Sequence, residues 1–170
     1  MECGSDFWRF SLTLYRMKNV PSACIALQDT HGLDVNLMLF ALWLASNGRA
    51  VSSADVSEAD AAVREWREQV VIALRGVRRA LRSPAPTIDA PAAEQLRAKI
   101  KAVELESERL QQEALYKLKP VDSWGRPESA AHAGEANMVA CEQAIGAIFH
   151  AEPRAALLAA YREIISAAKP

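Results

Sequence analysis

"HGLDVNLMLFALWLASNGR", His31 to Arg49, is the stretch on which the fold turns. From Leu37 to Ala45 every residue is apolar, and a helix that is apolar all round must be enclosed by other helices. At 1.5 Å per residue the run spans about 14 Å, less than half of the ~30 Å hydrocarbon core of a bilayer, so it predicts a buried helix and not a membrane span. Asp34 suits the N-cap, where its carboxylate accepts free backbone amides, and Gly48 closes the helix after Asn47. Residues 34–47 are therefore the expected central element.

Working outward, each flanking segment reads as a helix bounded by punctuation. The first runs from about Asp6 to Met17, with Ser5 or Asp6 as N-cap and Phe7, Phe10, Leu14 and Trp8, Leu12, Tyr15 on two overlapping stripes. In the second, Pro21 suits the opening turn and Gly32 the closing one, and Ala23, Ile25, Ala26 and Leu27 are the expected buried residues. A long fourth helix follows, with Ser57 and Asp60 resembling a capping box and Val63, Trp66, Val70, Leu74, Val77 and Leu81 as its seam. "SPAPTIDAPA" is a linker, assigned to 84–91. The fifth helix, 92–118, has Leu96, Ile100, Val103, Leu110, Ala114 and Leu118 as its seam, and pairs with the fourth as an antiparallel hairpin. Residues 119–134 read as an irregular loop, and 135–170 as a pair of short helices, about Glu135–His150 and Pro153–Ala168.

The whole is expected to be one all-α domain, 1–170: a compact helical bundle with an apolar central helix, a long antiparallel hairpin and short C-terminal helices. Its 51% hydrophobic fraction is rich in alanine, which favours helices over sheets. A net charge of −1 supplies no field toward nucleic acid or an anionic membrane. Cys3, Cys24 and Cys141 are scattered and odd in number, as expected of small buried side chains in a reducing compartment. "MECGSDFWRF" lacks the basic start and apolar core of a signal peptide, so the expected location is cytoplasmic.

Three polar constellations could carry chemistry. His31, Asp34 and Asn36 crowd the start of the central helix, where they could floor a ligand pocket; the plainer reading, of a cap, a buried amide and a turn imidazole, outweighs it. Glu104 and Glu108 share a helical face, a spacing that can hold Mg²⁺ or serve acid–base chemistry, although a solvated charged face is favoured. Arg75, Arg78, Arg79 and Arg82 could bind phosphate, but a structural lattice, with Arg75 and Arg79 turned toward the acids of the fifth helix, is preferred. Any of these charges facing inward would mark a site. Trp124, before Gly125 and Arg126 in the loop, is either a partner anchor or a pin holding the loop to the core. No catalytic motif or metal-ligand spacing is present, and no cofactor is implied; His132 and His150 flank Cys141 too distantly to converge on one ion.

"FWRFSLTLYRMKNVPSACIALQDTHGLDVNLMLFALWLASNGR", "VREWREQVVIALRGVRRALR" and "KAVELESERLQQEAL" together resemble a proteobacterial family of helical proteins of about this length, a domain of unknown function. The resemblance spans roughly Phe7 to Leu118 and is most specific at "GLDVNLMLF". It implies a small cytoplasmic helical protein with no assigned activity, and carries over no catalytic residue.

Two functional expectations follow. The first is an interaction or adaptor protein with a protein partner or a second copy of itself, Trp124 and Arg126 being its candidate contacts. The second is a small-molecule binder or enzyme for a phosphorylated or isoprenoid-like ligand, with His31, Asp34, Asn36, Arg75, Arg79, Glu104 and Glu108 lining a pocket between the central helix and the hairpin. Nucleic-acid binding ranks last, because the arginine cluster has no aromatic platform beside it.

Overall fold

In the computed structural model, which describes residues 4–167, the apolar run forms helix α3, Val35–Ser46, with every side chain from Asn36 to Ala45 buried. Around it stand α1 (Asp6–Tyr15), α2 (Val20–His31), α4 (Ser53–Trp66), α5 (Ile72–Ala80), α6 (Ala90–Leu118), α7 (Ala130–Ile145) and α8 (Ala151–Ala167). The core is one cluster: Phe7 of α1 and Phe40 and Trp43 of α3 stack at 5.2 to 5.7 Å, and Leu27, Val63, Leu115, Met138, Leu157 and Tyr161 close around them. The fold is all-α, with two short strands, β1 (Arg49–Ala50) and β2 (Arg126–Pro127), paired antiparallel. No helix of the described residues is long and apolar enough to cross a membrane. Cys3 and Ala168 lie outside the described residues; Cys24 and Cys141 are buried and free.

Several expected boundaries move, each for a local reason. The capping box is Ser52 with Asp55, not Ser57 with Asp60, so α4 starts at Ser53 and its Asp60 is freed to point sideways. In α2 it is Val20, Ala23, Cys24 and Leu27 that are buried, while Ile25 and Ala26 face out. The stretch 119–134 is largely structured: a 3₁₀ turn (Val121–Ser123), then β2, then α7 beginning at Ala130 on the Ser129 cap. Trp124 is the pin of that segment. It is 1% exposed, edge-on to Phe40 at 5.3 Å with the Lys119 ammonium 3.8 Å above its ring, and so is packed into the core of the chain. Arg49 completes the clamp by donating to the carbonyls of Asp122, Trp124 and Gly125 at 2.7 to 3.0 Å. Asn137 of α7, fully buried, accepts from Val51 N and donates to the carbonyls of Ala41 and Arg49, binding α7 to the end of α3.

The hairpin differs most from expectation. Between α4 and α5 the chain makes a π-helical turn, Arg67–Val71, without leaving the helix. The residues that face the rest of the molecule are then Val56, Ala59, Val63, Arg67, Val71, Arg75 and Arg78. Four successive steps of four residues drift about 40° each around a regular helix, and the wider π turn absorbs the drift. The expected apolar seam is consequently displaced: Trp66 and Val77 stand half exposed and arginines take the inner positions. Beyond the bundle, α5 and the first half of α6 pack mainly on each other, and none of the α5 side chains is buried.

Two glycines test this picture. At Gly125, where φ is +49°, an added Cβ would lie 2.1 Å from the Ala50 carbonyl oxygen, whereas at Gly76 on α5 it meets nothing. Gly125→Ala should cost at least about 2 kcal/mol in urea unfolding, and Gly76→Ala should gain about 0.5–1 kcal/mol from helix propensity alone. Equal effects at the two positions would contradict the clamp.

Candidate functional site

The site is built from the polar entrance of α3. Asp34 caps the helix, its Oδ1 accepting from Asn36 N at 2.8 Å. Its Oδ2 accepts from Arg67 Nη1 at 3.0 Å and from Gln111 Nε2 at 2.6 Å, so a single carboxylate joins α3, the π turn and α6. Asn36, buried two residues on, accepts from Gln112 Nε2 at 2.8 Å. Arg67 also donates to Asp60, which is held by Arg64 at 2.6 Å. Burial opposes the charge of Asp60, but the bonds from Arg64 and Arg67 outweigh it and hold its carboxyl below the usual aspartate range. The amide oxygens of Gln111 and Gln112 are buried without a partner among the described residues.

Further along the arm lies an ion cluster. Glu104, buried, accepts from Arg75 Nε and Arg78 Nη2, each at 3.1 Å, and again from Arg78 Nε. Arg75 spends its other two nitrogens on Glu108 at 2.9 Å and Gln28 of α2 at 2.7 Å. The two glutamates titrate apart. At Glu104 the bonds from Arg78 and Arg75 overcome burial and its carboxyl falls below the ordinary glutamate value. At Glu108 burial prevails over Arg75 and the carboxyl rises above it. Arg79 is outside this cluster, in an exposed pair with Asp29.

A cleft of about 190 Å³ opens beside Asp34. Asp34, Asp60, Arg64 and Arg67 form its polar side, and Leu33, Leu37, Val56, Cys141, Ala144 and Ile145 its apolar side. Burial pushes the Cys141 thiol up to about 12, which removes it as a nucleophile at neutral pH. Of the seven expected ligand residues only Asp34 lines this cleft. Asn36 faces α6, while Arg75, Glu104 and Glu108 occupy the ion cluster. His31 lies against Phe149 and His150, with ring centroids at 5.8 and 4.9 Å. Arg126 is at the surface, paired with Glu128. Arg67, Asp60, Gln111 and Gln112 escaped sequence reasoning because helical spacing alone puts Arg67 beside the expected seam; the glutamine pair on a helix assigned an apolar seam was the available signal.

What this network leaves outside is as informative as what it encloses. The buried face of α6 is Ala93, Glu104, Ser107, Gln111, Gln112 and Leu115, mostly polar because it answers Asp34, Asn36, Arg75 and Arg78. Its expected seam is rotated out: Leu96, Val103 and Leu110 are 48%, 52% and 43% exposed, in a row of seven-residue steps. Trp66, half exposed, lies against that row, its indole N–H donating to the Ser107 carbonyl at 3.0 Å.

A family model with the description "Protein of unknown function (DUF2390)" matches residues 6–115 of the 170, and the chain belongs to that family. The matched segment holds α1 to most of α6, including the capping network, the ion cluster and the outward row. No curated protein and no solved structure matches the chain.

The two glutamates make opposite predictions. Glu104→Gln should cost about 2 kcal/mol near neutral pH, since two guanidiniums lose the charge they share. With a folded pKa below the unfolded one, Glu104 contributes stability above the unfolded value and loses it as pH falls through the folded value, so this cost narrows below about pH 4. Glu108, raised in the fold, penalises folding when ionised, and the wild type recovers that penalty on acidification. Glu108→Gln should therefore lose ground against the wild type as pH falls from neutrality toward the ordinary glutamate value of about 4.3. Urea midpoints from neutral pH down to about pH 3 check both; gaps that stay constant over that whole span would refute them.

Proposed function

We propose that this DUF2390 member is a helical interaction protein whose arm, α5 packed on α6, offers a docking surface for an amphipathic helix. The supporting observation is the outward row Leu96, Val103 and Leu110 on α6. Apolar side chains scattered singly over a surface need no explanation, whereas a row at seven-residue steps on a projecting helix is the pattern that receives another helix. The ion cluster supplies the rest: Arg75 and Arg78 tie the two arm helices together through Glu104, and Arg75 anchors them to α2 through Gln28. An arm so braced presents its row without the cost of ordering it on binding. The reading takes residues 1–170 as one domain working in the cytoplasm, with no reaction of its own.

Ligand binding in the Asp34 cleft is a weaker second reading. Two aspartates and two arginines meet there, and each side chain is bonded to a neighbour, so the cleft brings no uncompensated charge to a ligand.

Fractionation of native-host lysate by size tests the main reading. The wild-type chain should migrate well above its 18.6 kDa, and Val103→Glu with Leu110→Glu should return it to monomer mass with its helix content unchanged. A wild-type chain migrating as a free monomer would defeat the proposal.

A further inference from the structure

The outward row of α6 reads the same in both directions. Leu96 and Leu110 stand seven residues either side of Val103, about 10.5 Å along the helix. Two α6 helices related by a two-fold axis through Val103 would set Leu96 of each copy against Leu110 of the other, with the two valines meeting at the centre. Isologous contacts of this kind are the commonest way for a chain to self-associate.

The charges beside the row have the same symmetry. Lys99 lies four residues before Val103 and Glu106 three after it, and the two are only about 20° apart around the helix axis, on one flank. In the antiparallel pairing Lys99 of one copy comes level with Glu106 of the other, twice over. A parallel pairing in register would put this flank on opposite sides of the seam in the two copies, and the Lys99–Glu106 match would be lost. Within the chain, Lys99 makes no ion pair among the described residues, and Glu106 has an exposed one with Arg109 at 2.7 Å. On the other flank of the row Trp66 of α4 donates to the Ser107 carbonyl at 3.0 Å.

From this self-complementarity in shape and charge we infer that the helix received by the arm is α6 of a second copy, forming a two-fold antiparallel dimer centred on Val103. The inference rests on the interaction reading above and names its partner.

Sedimentation of the purified full-length chain tests it. The wild type should weigh twice 18.6 kDa. Val103→Glu should raise the dimer Kd by about 100-fold or more, since each copy buries its valine at the axis. Lys99→Glu should raise it by about tenfold, and Lys99→Glu with Glu106→Lys should bring it back to within about threefold of the wild type. That rescue depends on the proposed register, because the swapped pair attracts only when residue 99 of one copy faces residue 106 of the other. Circular dichroism verifies that each variant is folded. A monomeric wild type, a dimer indifferent to Val103→Glu, or a failed charge swap would each overturn the inference. If the purified chain is a monomer while the lysate complex persists, the second copy is excluded and the interaction reading stands; if both are absent, both fall.

Discussion

The architecture depends on how the polar entrance of an apolar helix is satisfied. Helix α3 is buried on every side from Asn36 to Ala45, and the polar groups at its N-terminus are answered by side chains from elsewhere. Asp34 and Asn36 are answered by Gln111 and Gln112, adjacent on α6, and Asp34 also by Arg67. That requirement dictates which face α6 turns inward. A helix whose inner face must hold Glu104, Ser107, Gln111 and Gln112 cannot also bury Leu96, Val103 and Leu110, because the two sets lie about 100° apart around its axis. The exposed row is the geometric consequence of the buried network.

The π turn of the α4–α5 helix serves the same demand from the other side. Across the π turn Arg67 stays on the inward side between Val63 and Val71, and Arg75 and Arg78 follow on the same side. Turns of this kind are rare and cluster at sites where a side chain must be re-aimed. Here the inward residues are Arg67, then Arg75 and Arg78, and their partners are Asp34 at the cap of α3, Asp60 about two turns back on α4, and Glu104 of α6. Buried ion pairs bring little net stability, since removing charge from water costs about as much as the pairing returns, but they discriminate sharply against misaligned packing. The cluster at Glu104 thus sets the register and pitch of the arm more than it holds the arm down.

The helix that bears the apolar outer row also supplies Leu115 to the core and Gln111 and Gln112 to the entrance of α3, so on the reading proposed above the docking row is braced by the core itself. The same chain offers a weaker case for small-molecule chemistry. The cleft at Asp34 is small, its four charges neutralise one another, and its cysteine is deprived of thiolate character by burial. Among the described residues no three histidine, cysteine, aspartate or glutamate side chains gather as a metal-holding group.

Local pattern alone determined the helical class, the burial of Leu37 to Ala45, the Asp34 cap, the hairpin and the presence of acids and arginines in its two halves, since each depends on neighbours three or four residues away in the chain. Tertiary structure decided which face of each hairpin helix turns inward. The apolar seams at Val63, Trp66, Val70 and at Leu96, Val103, Leu110 were visible, but of these six only Val63 is buried in the core, because burial of polar partners from a distant helix outweighed burial of leucine. Trp124 shows the same principle reversed: a tryptophan among glycine and proline read equally as anchor or pin, and only the position of Phe40, 84 residues away in sequence, settled it as a pin. Periodicity records what a helix could bury; the groups it must satisfy across the core determine what it does bury.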